Sequence, residues 1–232
     1  GRRIGGYYDF QTSYGFERIT GTSFSIKEET EDYVDISFLR TYEPGVRNTP
    51  ADADIHYVLK KGDTGLYTYS VIHHKAEYPS FDLGSWRQVL WTAHEDGIFQ
   101  FENIYVDAIK NWQMASYADN ENAEPTTIPE IIKLVTGVRA GMYDGKYQYT
   151  EELMELPAWG FTSDKNKMGV WAVMGSHEFY NSGPTHHDLN SAAGIIHVLL
   201  NGLHYNSRGM VIPEGRDWNK VYGPYLIYMS SG

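Results

Sequence analysis

The chain has no cysteine, which excludes a disulfide framework, a thiol nucleophile and a thiolate-bound zinc or iron–sulfur site. It lacks any run of about 18 apolar residues, so no segment reads as a membrane-spanning helix. Basic residues are scarce: 19 Lys and Arg face 30 Asp and Glu, a formal net charge of −11 that argues against tracking nucleic-acid phosphates. A sum of this kind leaves room for a local cationic cleft. There is no P-loop, no G-x-G-x-x-G and no G-x-S-x-G, and Asn181 stands where a zinc-protease helix begun by His177-Glu178 needs its second histidine. Neither an internal repeat nor a low-complexity tract occurs. The opening Gly1-Arg2-Arg3-Ile4-Gly5-Gly6 has no initiating methionine and no apolar signal-peptide core, so it reads as the start of a processed or excised piece.

What is present is strand signal. A length of 232 residues fits one large domain or two small ones. Residues 24–27, 33–40, 56–60, 66–73, 87–92, 98–106, 169–175 and 221–229 are rich in β-branched and aromatic residues. Between 56–60 and 66–73, Lys61-Gly62-Asp63-Thr64-Gly65 supplies the left-handed turn residues of a hairpin. The acidic run 28–32 reads as a solvated turn, and 42–54 and 119–127 read as loops. Two segments stay ambiguous. Residues 127–135 fit a capped helix or a buried strand, and 192–203 can be read either way. Many short strands separated by turn residues predict an all-β, antiparallel β-sandwich.

Nine histidines invite a metal reading, yet the pairs His73-His74 and His186-His187 would point to opposite faces of a strand and rarely chelate one ion. Aromatics form 15% of the chain; Trp86, Trp112, Trp159, Tyr147 and Tyr205 can fill a sandwich core or present a platform for sugar rings. Two segments look unlike packing. One is Tyr143-Asp144-Gly145-Lys146-Tyr147-Gln148-Tyr149, with a lysine between a glycine and aromatics. The other is Asn201-Gly202-Leu203-His204-Tyr205-Asn206, with a histidine closing an apolar run.

Taken in order, several segments resemble rhamnogalacturonan lyases of polysaccharide lyase family 4. They are Leu59-Lys60-Lys61-Gly62-Asp63-Thr64-Gly65-Leu66-Tyr67-Thr68-Tyr69, Tyr78-Pro79-Ser80-Phe81-Asp82-Leu83-Gly84 with Arg87, and Lys146-Tyr147-Gln148-Tyr149. Ser176-His177-Glu178-Phe179, Asn181-Ser182-Gly183-Pro184, Asp188-Leu189 and Val221-Tyr222-Gly223-Pro224-Tyr225 follow, and Gly6-Tyr7-Tyr8-Asp9 is a weaker match. The resemblance implies a large antiparallel super-sandwich related to galactose mutarotases. It also implies β-elimination across the rhamnose–galacturonate backbone of rhamnogalacturonan I in pectin. Lys146 would be the catalytic base and His204 the catalytic acid. Lys110, Arg87, Arg139, Tyr147, Tyr205 and Trp112 would bind substrate, with Arg208 in reserve. His177-Glu178 matches the family without an assigned step.

Such chemistry makes definite demands. The proton removed lies α to the uronate carboxylate, so the site must neutralise that carboxylate while charge accumulates on it. A lysine base must be neutral, although free lysine has a pKa of about 10.4, and a shift of about 3 units corresponds to roughly 4 kcal/mol. Histidine suits protonation of the leaving oxygen because it titrates near neutrality. Where the family places arginines, this chain has Ile109-Lys110-Asn111-Trp112-Gln113, so Lys110 offers a point charge without a bidentate fork.

On this reading residues 1–232 are one catalytic sandwich needing no metal or cofactor. It is secreted, periplasmic if bacterial, and bound to pectic polysaccharide, not to nucleic acid or membrane. The family continues past the equivalent of 223–225 into a fibronectin-like and a carbohydrate-binding module, so the chain is expected to be truncated relative to it. Two other readings compete: a non-catalytic carbohydrate-binding sandwich and a mutarotase-like sugar isomerase.

Overall fold

The computed structural model describes residues 5–91, 94–95, 98–99, 101–105, 111–113, 117–145, 150, 152, 156–177, 191–192, 194–202 and 209–231. In chain order the first strands are β1 (Gly5–Thr12), β2 (Gly15–Arg18), β3 (Ser23–Glu29), β4 (Tyr33–Arg40), β5 (Asp52–Lys60), β6 (Gly65–His74) and β7 (Phe81–Trp91). Short elements follow: β8 (His94–Glu95), β9 (Ile98–Phe99), β10 (Asn103–Tyr105), β11 (Asn111–Gln113), α1 (Tyr117–Glu121), β12 (Glu124–Pro125), β13 (Ile131–Lys133) and β14 (Tyr143–Gly145). The last six are β15 (Ala158–Ser163), β16 (Met168–Met174), β17 (Ser191–Ala192), β18 (Ile195–Gly202), β19 (Met210–Ile212) and β20 (Trp218–Ser231).

Two large antiparallel sheets result. One has nine strands in the order β11-β10-β15-β16-β20-β6-β5-β4-β3. The other has six, ordered β17-β18-β7-β1-β2, with β19 also on β7. Small sheets β12-β13-β14 and β8-β9 are appended. Among the described residues no helix is long and apolar enough to cross a membrane. The all-β, antiparallel sandwich expected from the strand signals is the observed architecture.

One hydrophobic cluster fills the space between the large sheets, with Tyr8, Phe10, Leu83, Trp86, Ile196 and Val198 from the six-stranded side and Ile55, Ile72, Phe161, Val170, Tyr225 and Ile227 from the other. Period-2 alternation explains which residues point there. In β6 the inward positions are Thr68, Ser70, Ile72 and His74. Three of these are polar, and each is matched. Thr68 meets the Tyr8 hydroxyl at 2.8 Å, Ser70 accepts from Trp86 Nε1 at 2.8 Å, and His74 lies between the carbonyls of Arg216 and Pro79. Buried polar groups are tolerated because they are paired. Fully buried Trp86 also stacks on Tyr8 and contacts Phe10, with ring centroids at 5.2 and 4.6 Å.

Local departures from the sequence reading have physical causes. Both ambiguous segments contain strands, because β13 pairs with β12 and β14, and β18 lies along β7. The polar stretch 119–127, read as a loop, instead begins inside α1 and contains β12. That short helix is tied by the Thr136 hydroxyl donating to Asp119 at 2.7 Å, a contact no local pattern announces.

Candidate active site on the outer face of the six-stranded sheet

β7 is the centre of the six-stranded sheet, with β1 on one edge and β18 and β19 on the other. Trp86 and Gln88 point toward the nine-stranded sheet, where they bond Ser70 and Tyr225. Alternation therefore sends Ser85, Arg87 and Val89 to the opposite, outer face.

One row across that face carries the charge. Asp9 of β1 is in register with Arg18 of β2 on one side and Arg87 of β7 on the other, and Arg87 is in register with Leu199 of β18. Arg87 Nε donates to Asp9 Oδ1 at 2.6 Å, with Arg87 4% and Asp9 1% exposed. The Arg18 guanidinium stacks over the Tyr7 ring at 4.0 Å, and that of Arg87 approaches the Phe16 ring at 5.7 Å. Burial pushes the Asp9 carboxyl above its ordinary range, although Arg87 and, more weakly, Arg18 pull the other way. The row thus holds two arginines to one aspartate. Next to it, buried His197 is in register with Val89.

The strand that leads to His204 is held on the same sheet. Near its end a bulge between Leu199 and Asn201 turns Asn201 to accept from the Tyr222 hydroxyl at 2.9 Å, and Asn201 donates to the Leu83 carbonyl. Gly202 has φ of 75°, and an added Cβ would collide with the Gly84 carbonyl oxygen, so this position needs glycine. Pairing with β7 stops at Gly202 opposite Ser85 and resumes with Met210 opposite Leu83, and the Gly209 amide donates to Asp82 at 2.5 Å. Both anchors flanking His204 are therefore on one short stretch of β7.

The expected site residues divide sharply. Lys146, Tyr147, Lys110, His204, Tyr205 and Arg208 lie outside the described residues, as do Glu178 and the pair His186-His187. Trp112 is placed by its backbone opposite Ile104. Arg87 lies on the outer face as described. Arg139 is also buried and donates to Asp144 at 3.2 Å, bracing the turn before β14, whose last residue, Gly145, precedes Lys146. His177 Nε2 lies 3.1 Å from the Leu156 carbonyl. His73 meets Asp217, and His74 bonds backbone carbonyls, so this pair diverges as neighbours in a strand do. Sequence reasoning missed Asp9, Arg18 and His197 as site residues; the only signal was the weak match over Gly6-Tyr7-Tyr8-Asp9. Among the described residues no group of three or more His, Asp or Glu could hold a metal ion.

These observations define an all-β sandwich with a paired-charge row on the outer face of its smaller sheet. The family model of the rhamnogalacturonate lyase family matches residues 6–146, and the chain belongs to that family. No curated protein matches it in sequence. Among solved structures, an α-mannosidase from Enterococcus faecalis V583 superposes with a TM-score of 0.50 at 10% identity, over 97% of this chain and 25% of that one. This chain therefore spans a quarter of the mannosidase's length, and the likeness is one of fold. A galactose mutarotase-like protein from Lactobacillus casei ATCC 334 has a TM-score of 0.43 at 9% identity, over 98% of this chain and 85% of that one. Another from Clostridium acetobutylicum has 0.41 at 8%, over 99% and 79%.

Proposed function

We propose that this domain is a rhamnogalacturonan endolyase, cleaving the rhamnose–galacturonate backbone of rhamnogalacturonan I by β-elimination. Family membership carries the reading, because the rhamnogalacturonate lyase family model covers residues 6–146. Lys146 takes the C5 proton of galacturonate, and His204 protonates the leaving oxygen on the rhamnose side. Lys110, Tyr147, Tyr205 and Trp112 contact the sugar chain. Arg87 and Arg139, each engaged with its own aspartate, serve the substrate as cations. Their positive potential favours a carboxylate that gains charge in the transition state. The protein works outside the cytoplasm, where pectic polysaccharide is found, and uses no metal.

Ultraviolet absorbance of a 4,5-unsaturated uronate product on rhamnogalacturonan, with homogalacturonan as control, tests the assignment. Lys146→Ala and His204→Ala should each lower turnover by about 10²–10⁴-fold while leaving circular dichroism unchanged. Undiminished turnover in Lys146→Ala would overturn the mechanism. Binding of pectin fragments without unsaturated product would leave a carbohydrate-binding sandwich in its place.

A further inference from the structure

To one side of the buried Arg87–Asp9 pair, the outer face of the six-stranded sheet carries Arg18, Tyr7 and Trp91 in a line. Alternation puts Tyr7 of β1 and Trp91 of β7 on the face of Asp9 and Arg87, and Arg18 of β2 lies beside Asp9 in register. The Arg18 guanidinium stacks on the Tyr7 ring at 4.0 Å, and the Tyr7 ring meets the Trp91 indole at 5.3 Å and 57°. Trp91 is opposite Gly5, where an added Cβ would stand 2.9 Å from the indole Cε3. The indole thus lies down across a glycine, and it stays 41% exposed.

Arg18 is exposed, and it is held by its flat face. Stacking occupies that face, whereas the N–H donors of a guanidinium point outward from its edge, in the plane. Among the described residues no hydrogen bond or ion pair takes those donors. Asp9, the neighbour in register, is 1% exposed and gives Oδ1 to Arg87 at 2.6 Å. The chain has a net charge of −11, yet this fork faces solvent without a carboxylate. The Tyr7 ring already fixes the plane of the guanidinium, so less freedom is lost when an anion is clasped.

We infer that Arg18, Tyr7 and Trp91 form a subsite for an acidic sugar, its carboxylate paired to the Arg18 edge and the C–H face of a ring laid on the Trp91 indole. This subsite rests on the reading of the domain as a rhamnogalacturonan lyase, and it adds residues which that reading leaves without a role. Two features select the class. The planar fork matches a carboxylate bidentately. The exposed aromatic face beside it favours a ligand with an apolar ring face, which a simple carboxylate lacks. Nucleic acid carries charge on every unit, and one cation on a strongly acidic chain does not offset that repulsion. A rhamnose–galacturonate backbone has a carboxylate on alternate sugars only, so one arginine beside one aromatic face matches it in kind.

The test uses a rhamnogalacturonan tetrasaccharide and the same sugar with its carboxyl groups reduced to alcohols, which keeps the rings and removes the charge. Binding of each to the 232-residue chain is measured by calorimetry, with product absorbance followed in parallel. The native sugar should bind about tenfold tighter than the reduced one. Arg18→Gln should weaken the native sugar about tenfold and leave the reduced sugar unchanged. Trp91→Ala should weaken both about tenfold. Both side chains are exposed, and circular dichroism checks the fold of each variant; should Trp91→Ala fail to fold, Arg18→Gln decides alone. Absence of binding, equal binding of the two sugars by the parent chain, native-sugar affinity unchanged in Arg18→Gln, unchanged binding in a folded Trp91→Ala protein, or tighter binding of oligothymidylate than of the native sugar would each overturn the subsite. The lyase reading stands or falls separately. An Arg18-dependent preference without unsaturated product upholds the subsite and overturns the lyase, and turnover without that preference does the reverse.

Discussion

Arg87 and Asp9 come from positions far apart in the chain and meet at 2.6 Å in the middle of the six-stranded sheet, both almost wholly buried. Removing one partner of such a pair leaves a charge that has already lost its water. Asp9→Ala should therefore cost about 3–5 kcal/mol, measured by urea unfolding. A double variant, Asp9→Val with Arg87→Met, should recover part of that loss. An Asp9→Ala protein as stable as the parent would show that the pair is not structural.

Two carboxylates should set opposite pH limbs. Burial holds the Asp9 proton more tightly in the native state than its ordinary value of 3.8. Stability from this group is therefore greatest in acid and falls as pH rises through the raised value. Glu17 behaves oppositely. Burial would raise it, but the Arg40 hydrogen bond, the Thr49 amide and the Arg40 charge overturn that and hold it below 4.5. Its contribution is present above 4.5 and is lost as pH falls through the lowered value. Thermal melts across acid pH should show Asp9→Asn flattening the first limb and Glu17→Gln the second.

Trp86 unites packing and hydrogen bonding. Trp86→Ala should cost about 3–5 kcal/mol through the cavity it leaves. Trp86→Phe keeps most of the volume but strips Ser70 of its donor, and should cost about 1–3 kcal/mol. Chemical denaturation of the pair separates the two contributions; equal losses would show that the lost ring volume adds nothing beyond the hydrogen bond.

Gly202 should be intolerant of a side chain. Gly202→Ala must relieve both a left-handed backbone and a collision with Gly84, at a cost above about 1 kcal/mol. Under the proposed mechanism it should also lower turnover more than stability, because β18 leads the chain to His204. Unfolding and absorbance assays on one preparation give both numbers.

His56 lies between two carboxylates on the nine-stranded sheet, 2.9 Å from Asp35 and 3.4 Å from Asp54, and stacks on Tyr69 with centroids at 4.2 Å. His56→Ala should lower stability by about 1–3 kcal/mol and, under the proposed function, leave turnover unchanged, since the cluster is on the other sheet. A selective loss of turnover would place His56 in the catalytic machinery.

The sequence by itself determined the class of fold and the family. Alternation over residues 33–40 and 66–73 is a local property, set by side chains that must face either a core or water. The order of motifs from Leu59 to Lys146 is likewise written along the chain. Tertiary structure decided the rest. Residues 192–203 carry an apolar run that suits a helix or a strand, and only the edge of β7 made it β18. Arg87 was legible as a strand residue, but its partner depended on which strand came to lie beside β7. Asp9, Arg18 and Arg87 form one row only because β2, β1 and β7 pair in that register. The charge row and the buried hydrogen bonds of Tyr8 and Tyr225 arise between strands distant in sequence, and no local period encodes them. Backbone pairing brings such side chains together, and the low dielectric of the packed interior then makes each match or mismatch costly.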